Sequence, residues 1–205
     1  MKNTITILAN GEFPNKIIAE KHLNHEDKII CADGAANKLI GYGIKPFKII
    51  GDLDSIKKHL LDENIINTPN QNKTDLDKSL EWCLYKNYKN INILGASGLR
   101  EDHFLANLYL LHKYKNKLNL KIITNYSVIT VEEGFKTYSS YVGELLSIFA
   151  IDKINSITTT GLKFELNNTT IIPSSLGVSN ESTNKDFSID TSSPLWLLRN
   201  HKGID

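Results

Sequence analysis

The chain has 205 residues, enough for one large domain or two small ones. Hydrophobic residues make up 40% and charged residues 23%, which supports a packed core and excludes wholesale disorder. Lys and Arg number 24 against 23 Asp and Glu, so the net charge is +1 and the basic excess of a nucleic-acid or membrane-surface protein is missing.

Thr4–Leu8 is rich in β-branched residues and predicts a strand ending at Ala9-Asn10-Gly11. Pro14 suits the first turn of a helix on which Ile17, Ile18 and His22 fall at helical spacing. Lys28–Ala32 is the next apolar run and ends at Asp33-Gly34. Ala35–Ile40 reads as a short helix closed by Gly41 or Gly43. Phe47–Ile50 predicts a third strand, running into Gly51-Asp52-Leu53-Asp54-Ser55. Ser55 can cap a helix through about Glu63, and Ile65–Thr68 is a short run before Pro69. Thr74 has the position of a helix cap with Asp77 three residues on, ahead of the stripe Leu76, Leu80, Cys83 and Leu84. Asn90–Leu94 predicts a strand ending in Gly95, and Asp102 to about Tyr114 a helix with Leu105, Leu108 and Leu111 on one side. Lys121–Thr124 follows. Strands alternating with helices predict an α/β domain with a doubly wound, mostly parallel sheet over residues 1–125.

From Asn125 the pattern changes. Ser127–Glu132, Phe135–Ser139, Leu145–Ala150, Ser156–Thr160, Thr169–Ile172, Asp186–Asp190 and Leu195–Leu198 are short β-type runs punctuated by Gly, Asn, Ser and Pro. They predict an all-β C-terminal sandwich domain over residues 126–205. Cys31 and Cys83 lack metal-ligand spacing and read as buried thiols of a reducing compartment. Residues 1–13 lack the pattern of a signal peptide and no run has the length of a membrane span, so a cytoplasmic protein is expected.

In an open parallel sheet, ligands bind outside the carboxyl ends of the strands. The loops at those ends carry Asn10-Gly11, Asp33-Gly34, the Asp52/Asp54 pair and Gly95-Ala96-Ser97-Gly98. Two carboxylates two positions apart repel unless a cation sits between them, and a hard, oxygen-seeking ion such as Mg2+ suits them. Asp54 or Ser55 acting only as a helix cap is the competing reading. The glycine-rich loop before a helix leaves backbone N–H groups for a phosphate, although it lacks the Gly-Lys-Ser/Thr ending of a phosphate loop. Lys73-Thr74-Asp75 and Arg100-Glu101-Asp102-His103 open two helices, where Asp75 and Asp102 also sit favourably against the helix dipoles. Acids at Asp33, Asp52, Asp54, Asp75 and Asp102 on one sheet edge, with a Lys, an Arg and Gly-rich loops, are the parts that phosphoryl transfer uses.

Asp33-Gly34-Ala35-Ala36-Asn37, Gly51-Asp52-Leu53-Asp54-Ser55, Lys73-Thr74-Asp75 and Arg100-Glu101-Asp102-His103-Phe104-Leu105-Ala106-Asn107 occur in an order that resembles the thiamin pyrophosphokinase family. Gly161-Leu162-Lys163-Phe164-Glu165-Leu166, Gly177-Val178-Ser179-Asn180-Glu181 and Pro194-Leu195-Trp196 extend the resemblance over nearly the whole chain. The resemblance implies an ATP:thiamin diphosphotransferase that moves a pyrophosphoryl group from ATP to the thiamin hydroxyl and releases AMP. It implies a homodimer with the active site at the subunit interface. Asp52, Asp54 and Asp75 match the Mg2+-binding acids and Asp33 an acid near the nucleotide and metal. Asn10, Gly11, Gly34, Gln71, Lys73, Thr74, Gly95, Ser97 and Arg100 fall on the nucleotide side. Arg100, Asp102 and His103 match the segment near the transferring phosphate and thiamin, and Ser179 and Asn180 match residues that meet the thiamin pyrimidine from the partner subunit. Three positions depart from the pattern: Ala35 and Leu99 replace glycines, and Asn72 stands where an aspartate is common. Trp196 reads as core ahead of a ligand platform.

Overall fold

The computed structural model describes residues 4–24, 28–56 and 64–203, so the helix expected from Ser55 to about Glu63 lies outside the described residues. The chain divides into two compact units, Met1–Asn125 and Tyr126–Asp205. No helix among the described residues is long and apolar enough to cross a membrane.

The first unit runs β1 (Thr4–Leu8), α1 (Lys16–His22), β2 (Ile29–Ala32), α2 (Ala35–Gly41), β3 (Lys48–Gly51), β4 (Ile65–Asn67), α3 (Asp75–Tyr85), β5 (Asn90–Leu94), α4 (Glu101–Tyr114) and β6 (Asn119–Ile123). Its strands lie in the order β6-β5-β1-β2-β3-β4, and each neighbouring pair is parallel. Strands covered on both faces read as continuous apolar runs, and all four residues of β2 are buried. The chain winds outward from β1 to β4, then returns to the other side of β1 with β5, which puts the topological switch between β1 and β5.

Local chemistry sets the helix starts. The Asn15 side chain accepts the Ile18 amide at 3.0 Å, and Thr74 Oγ1 accepts the Asp77 amide at 3.3 Å. Two sequence expectations are corrected in phase. Ile17 is 76% exposed, because α1 turns Ile18 and Ala19 inward. On α4 the buried side is Asn107, Leu110, Leu111 and Tyr114, and Leu105 is exposed. The leucine repeat at three-residue spacing drifts around a helix of 3.6 residues per turn, and the buried polar Asn107 belongs to the inward face.

The second unit comprises β7 (Ser127–Ser139), β8 (Leu145–Ala150), β9 (Ile154–Thr160), β10 (Thr169–Ile171), β11 (Gly177–Glu181) and β12 (Asp186–Asn200). Here four predicted short strands merge into two long ones. β7 and β12 pair antiparallel along their length, with a register shift between Thr191 and Leu195. Gly134, at φ 73, lies opposite Thr191 at the edge of that shift. Pro194 sits within it, where the missing N–H costs no ladder bond. Both residues read as strand breakers in sequence, yet they mark a bulge in a continuous ribbon. The first half of β12 pairs with β9 and the second half with β8, which also pairs with β11.

Residues from both halves of the ribbon share one core. Phe187 and Ile189 meet Leu195 and Leu197 in a buried cluster with Leu146, Ile148, Ala150, Ile154, Ile157, Leu162 and Ile171. Trp196 is half-buried, on the face of β12 opposite Leu195 and Leu197, which corrects the core reading.

Candidate active site

A cleft of about 470 Å3 opens in the first unit at the carboxyl ends of its strands. Its floor at the switch point is backbone. Past the ends of β1 and β5 the two chains stay paired: the amides of Ala9, Gly11 and Glu12 donate to the carbonyls of Leu94, Gly95 and Ser97 at 2.8, 2.7 and 2.7 Å. Lys38 on α2 donates to the carbonyls of Asn10 and Gly11 at 3.1 and 2.6 Å and fixes this loop from behind. Asn107 reaches back from α4 to the Ala96 carbonyl at 2.9 Å, which explains a buried asparagine on that helix.

The acids converge around Gly51. A Cβ there would lie 2.7 Å from the Cβ of Asp33 and 3.2 Å from the Cγ of Asp75, so the missing side chain is the space these two carboxylates occupy. Carboxylate oxygens of Asp33, Asp52 and Asp75 all lie within 4.8 Å of one another. Asp33 is held at φ 40 directly after β2, and Leu53 at φ 69 between Asp52 and Asp54. Such backbone is costly for residues with a Cβ and collects at functional sites.

Asp33 is 3% exposed; its Oδ2 accepts the Ser55 amide at 3.1 Å, while its buried Oδ1 has no partner among the described residues. Burial pushes this carboxyl above its ordinary range, with smaller contributions from Asp75 and Asp54. Asp52 accepts from Gln71 Nε2 at 2.8 Å, and chiefly this bond holds it below the usual carboxylate range, with the charge of Lys78 adding to it. An orphaned buried oxygen beside two further carboxylates is a donor set of oxygens alone, which fits a hard divalent cation. Asp54 also lines the cleft, and its Oδ1 accepts from Ser55 Oγ at 2.7 Å.

The cations on the wall are held by acids. Lys73 pairs with Glu81, and Lys78 with Asp75 Oδ1 at 2.9 Å. Arg100 grips Asp102 through Nε and Nη2 at 3.0 and 2.5 Å, which keeps the exposed Asp102 carboxyl low. Of the residues singled out in sequence, Asn10, Gly11, Gln71, Thr74, Gly95, Ser97 and His103 also line the cleft. Gly34 stands behind it, where a Cβ would meet Asn10 Nδ2 at 2.7 Å. Asn72 is exposed, its amide capped by Asn70 Oδ1 at 2.9 Å, Leu99 lines the mouth, and Ala35 is buried. Lys78 was passed over in sequence. Its signal was a lysine three residues after Asp75, on the buried side of an amphipathic helix.

Ser179 and Asn180 lie in the second unit. Asn180 is buried and fully engaged: Oδ1 accepts the amides of Phe164 and Glu181 at 3.1 and 2.9 Å, and Nδ2 donates to the Phe164 carbonyl at 2.8 Å. It ties the 161–166 loop to β11. Ser179 is exposed at φ 57, with its amide donating to Ser147 Oγ at 3.1 Å.

Comparison with known proteins covers both units. The family profile "Thiamin pyrophosphokinase, catalytic domain" matches residues 19–124, and "Thiamin pyrophosphokinase, vitamin B1 binding domain" matches residues 128–196. Thiamine pyrophosphokinase from Bacillus subtilis is 31% identical over 198 residues, 87% of this chain and 89% of the relative. Thiamin pyrophosphokinase 1 from Caenorhabditis elegans is 28% identical, covering 94% and 87%. The crystal structure of thiamine pyrophosphokinase from Bacillus subtilis superposes with a TM-score of 0.85 at 27% identity, over 97% of this chain and 99% of that one.

Proposed function

Because this chain belongs to the thiamin pyrophosphokinase family, we propose that it is the ATP:thiamin diphosphotransferase its motifs point to, Mg2+-dependent, with thiamin diphosphate and AMP as products. The observation that carries the reading is the meeting of Asp33, Asp52 and Asp75 within 4.8 Å beside paired glycine loops at the sheet's switch point. Asp33, Asp52 and Asp75 would hold the divalent cation, with Asp54 beside them, and the ion supplies charge neutralisation for the phosphates.

Asn10, Gly11, Gly95 and Ser97 supply close backbone and short side chains on which a nucleotide rests. Gln71 and Thr74 sit at the phosphate side, and Lys73 and Arg100 bring positive charge. Arg100 leaves Asp102 for the phosphates, as an exposed pair readily does. Asp102 is then free to accept the proton of the thiamin hydroxyl as its oxygen attacks the β-phosphorus. A bond forms from that oxygen to the β-phosphorus, the bond from the β-phosphorus to the bridging oxygen breaks, and AMP departs with it. Positioning and charge neutralisation supply the acceleration, so no covalent enzyme intermediate forms. Thiamin is a cation with aromatic rings; His103 and, in the homodimer we assign as the active form, Ser179 of the second unit are its contacts, with Asn180 holding the loop beside Ser179 in place.

Incubation with ATP, thiamin and Mg2+, followed by separation of the nucleotides and thiamin species, tests the reading. Equal amounts of AMP and thiamin diphosphate are expected. ADP with thiamin monophosphate would overturn pyrophosphoryl transfer.

A further inference from the structure

Lys78 differs from the other cations of the cleft. Lys73 and Arg100 are partly exposed and each is absorbed by a carboxylate at the rim, whereas the Lys78 side chain is 5% exposed. An ammonium group has three donors. Among the described residues, Lys78 Nζ gives one of them to Asp75 Oδ1 at 2.9 Å. Its charge also acts on Asp52, and the side chain lines the cleft. A buried ammonium is retained only where its charge and donors are used. One bond to Asp75 leaves donors over, next to an acid cluster that would hold the cation of a metal–phosphate ligand.

We propose that Lys78 is a phosphate-binding residue of this cleft, bridging Asp75 and an oxygen of the polyphosphate chain. The assignment rests on the phosphoryl-transfer reading above. The geometry gives it a division of labour: Asp75 holds Lys78 through Oδ1 and its carboxylate also belongs to the cluster with Asp33 and Asp52, so a metal in that cluster and the ammonium would reach the phosphates from adjacent positions. The lysine stem is packed in α3, which fixes the donor before the ligand arrives.

The test is calorimetric titration with magnesium tripolyphosphate of wild type, Lys78→Met and Lys78→Arg, with folding checked by circular dichroism. Mn2+ affinity without phosphate is measured in parallel by electron paramagnetic resonance. Lys78→Met is expected to lose roughly 10- to 100-fold in tripolyphosphate affinity, the worth of a charge-assisted bond. Lys78→Arg recovers part of that loss. Bare Mn2+ should bind Lys78→Met at least as tightly as wild type, because a positive charge has left the cluster. Unchanged tripolyphosphate affinity in Lys78→Met overturns the assignment and leaves the kinase reading intact. Equal losses for tripolyphosphate and Mn2+ also overturn it, since they would show that Lys78 only orients Asp75. Failure of the wild type to bind magnesium tripolyphosphate sinks the kinase reading and this one with it. If Lys78→Met does not fold, a crystal structure of the wild type with magnesium tripolyphosphate decides. Nζ within about 3.2 Å of a phosphate oxygen supports the assignment, and Nζ bound to Asp75 alone overturns it.

Discussion

Gly11 and Gly95 leave each other no room for a side chain: the Gly11 amide donates to the Gly95 carbonyl at 2.7 Å, and a Cβ on Gly11 would lie 2.4 Å from that same oxygen. Both contacts are backbone on backbone, so no rotamer change relieves them. Gly11→Ala should therefore part the two loops and destabilise the protein by about 1–3 kcal/mol, with loss of turnover. Gly41→Ala is the control, since its Cβ would meet nothing within 4 Å; it should be neutral or slightly stabilising. Thermal unfolding of the two variants side by side checks this, and equal melting temperatures would show that the loops yield.

Asp52 is held for charge and not for packing. Its carboxylate is met by the Gln71 side chain and faces the cleft. Asp52→Asn should lower kcat/KM by on the order of 100-fold or more and leave the melting curve essentially in place. Near-normal turnover would move the cation away from this carboxylate.

Asn180 serves its own loop through three bonds. Asn180→Ala strips partners from the Phe164 amide and carbonyl and from the Glu181 amide, at a cost of about 2–4 kcal/mol. Asn180→Asp keeps the acceptor but sets a carboxylate oxygen against the Phe164 carbonyl that Nδ2 donated to, so it too should destabilise. Urea unfolding of the three proteins measures both losses. An unaffected Asn180→Ala would mean that water replaces the side chain.

Burial raises both thiols, Cys83 from 9.0 to about 12 and Cys31 further. A folded-state pKa above the unfolded one means that the unfolded chain gives up protons first as pH rises. The stability tied to the thiols is complete below about pH 9 and drains above it, at about 1.4 kcal/mol per pH unit for each thiol. Urea unfolding across pH 8 to 10.5 should show that slope, and replacing both cysteines by alanine should flatten it. The same burial predicts that a thiol reagent labels native protein only as fast as it unfolds.

The strands and helices of the first unit were legible because the apolar runs end near Gly, Asp or Asn and two of the helix starts, α1 and α3, carry a side-chain cap, Asn15 and Thr74. The gathering of Asp33, Asp52 and Asp75 at one sheet edge was legible too, from the rule that sites form at the carboxyl ends of parallel strands; that Gly51 makes the room for Asp33 and Asp75 was not, because it needs β2, β3 and the start of α3 to be side by side. The unpaired Oδ1 of Asp33 in particular is visible only once the fold shows which atoms it leaves without a partner. Lys78 was hidden for a related reason: a lysine in a helix reads as solvated until the burial of its side is known. In the second unit Gly134 and Pro194 read as ends of strands, since a bulge shared by two strands 50-odd residues apart leaves no local pattern.

β12 pairs with β7, β8 and β9, so three strands of the second unit wait on the last one made. During synthesis, β7 to β11 leave the ribosome unclosed while the first unit can already complete its sheet, whose strands β1 to β6 precede Asn125. A stop codon before Asp186 would thus spare the catalytic cleft's own sheet, yet remove the strand against which β7, β8 and β9 are laid. The product would be a folded head with an adhesive, edge-exposing tail, a target for proteases and aggregation more than a half-active enzyme.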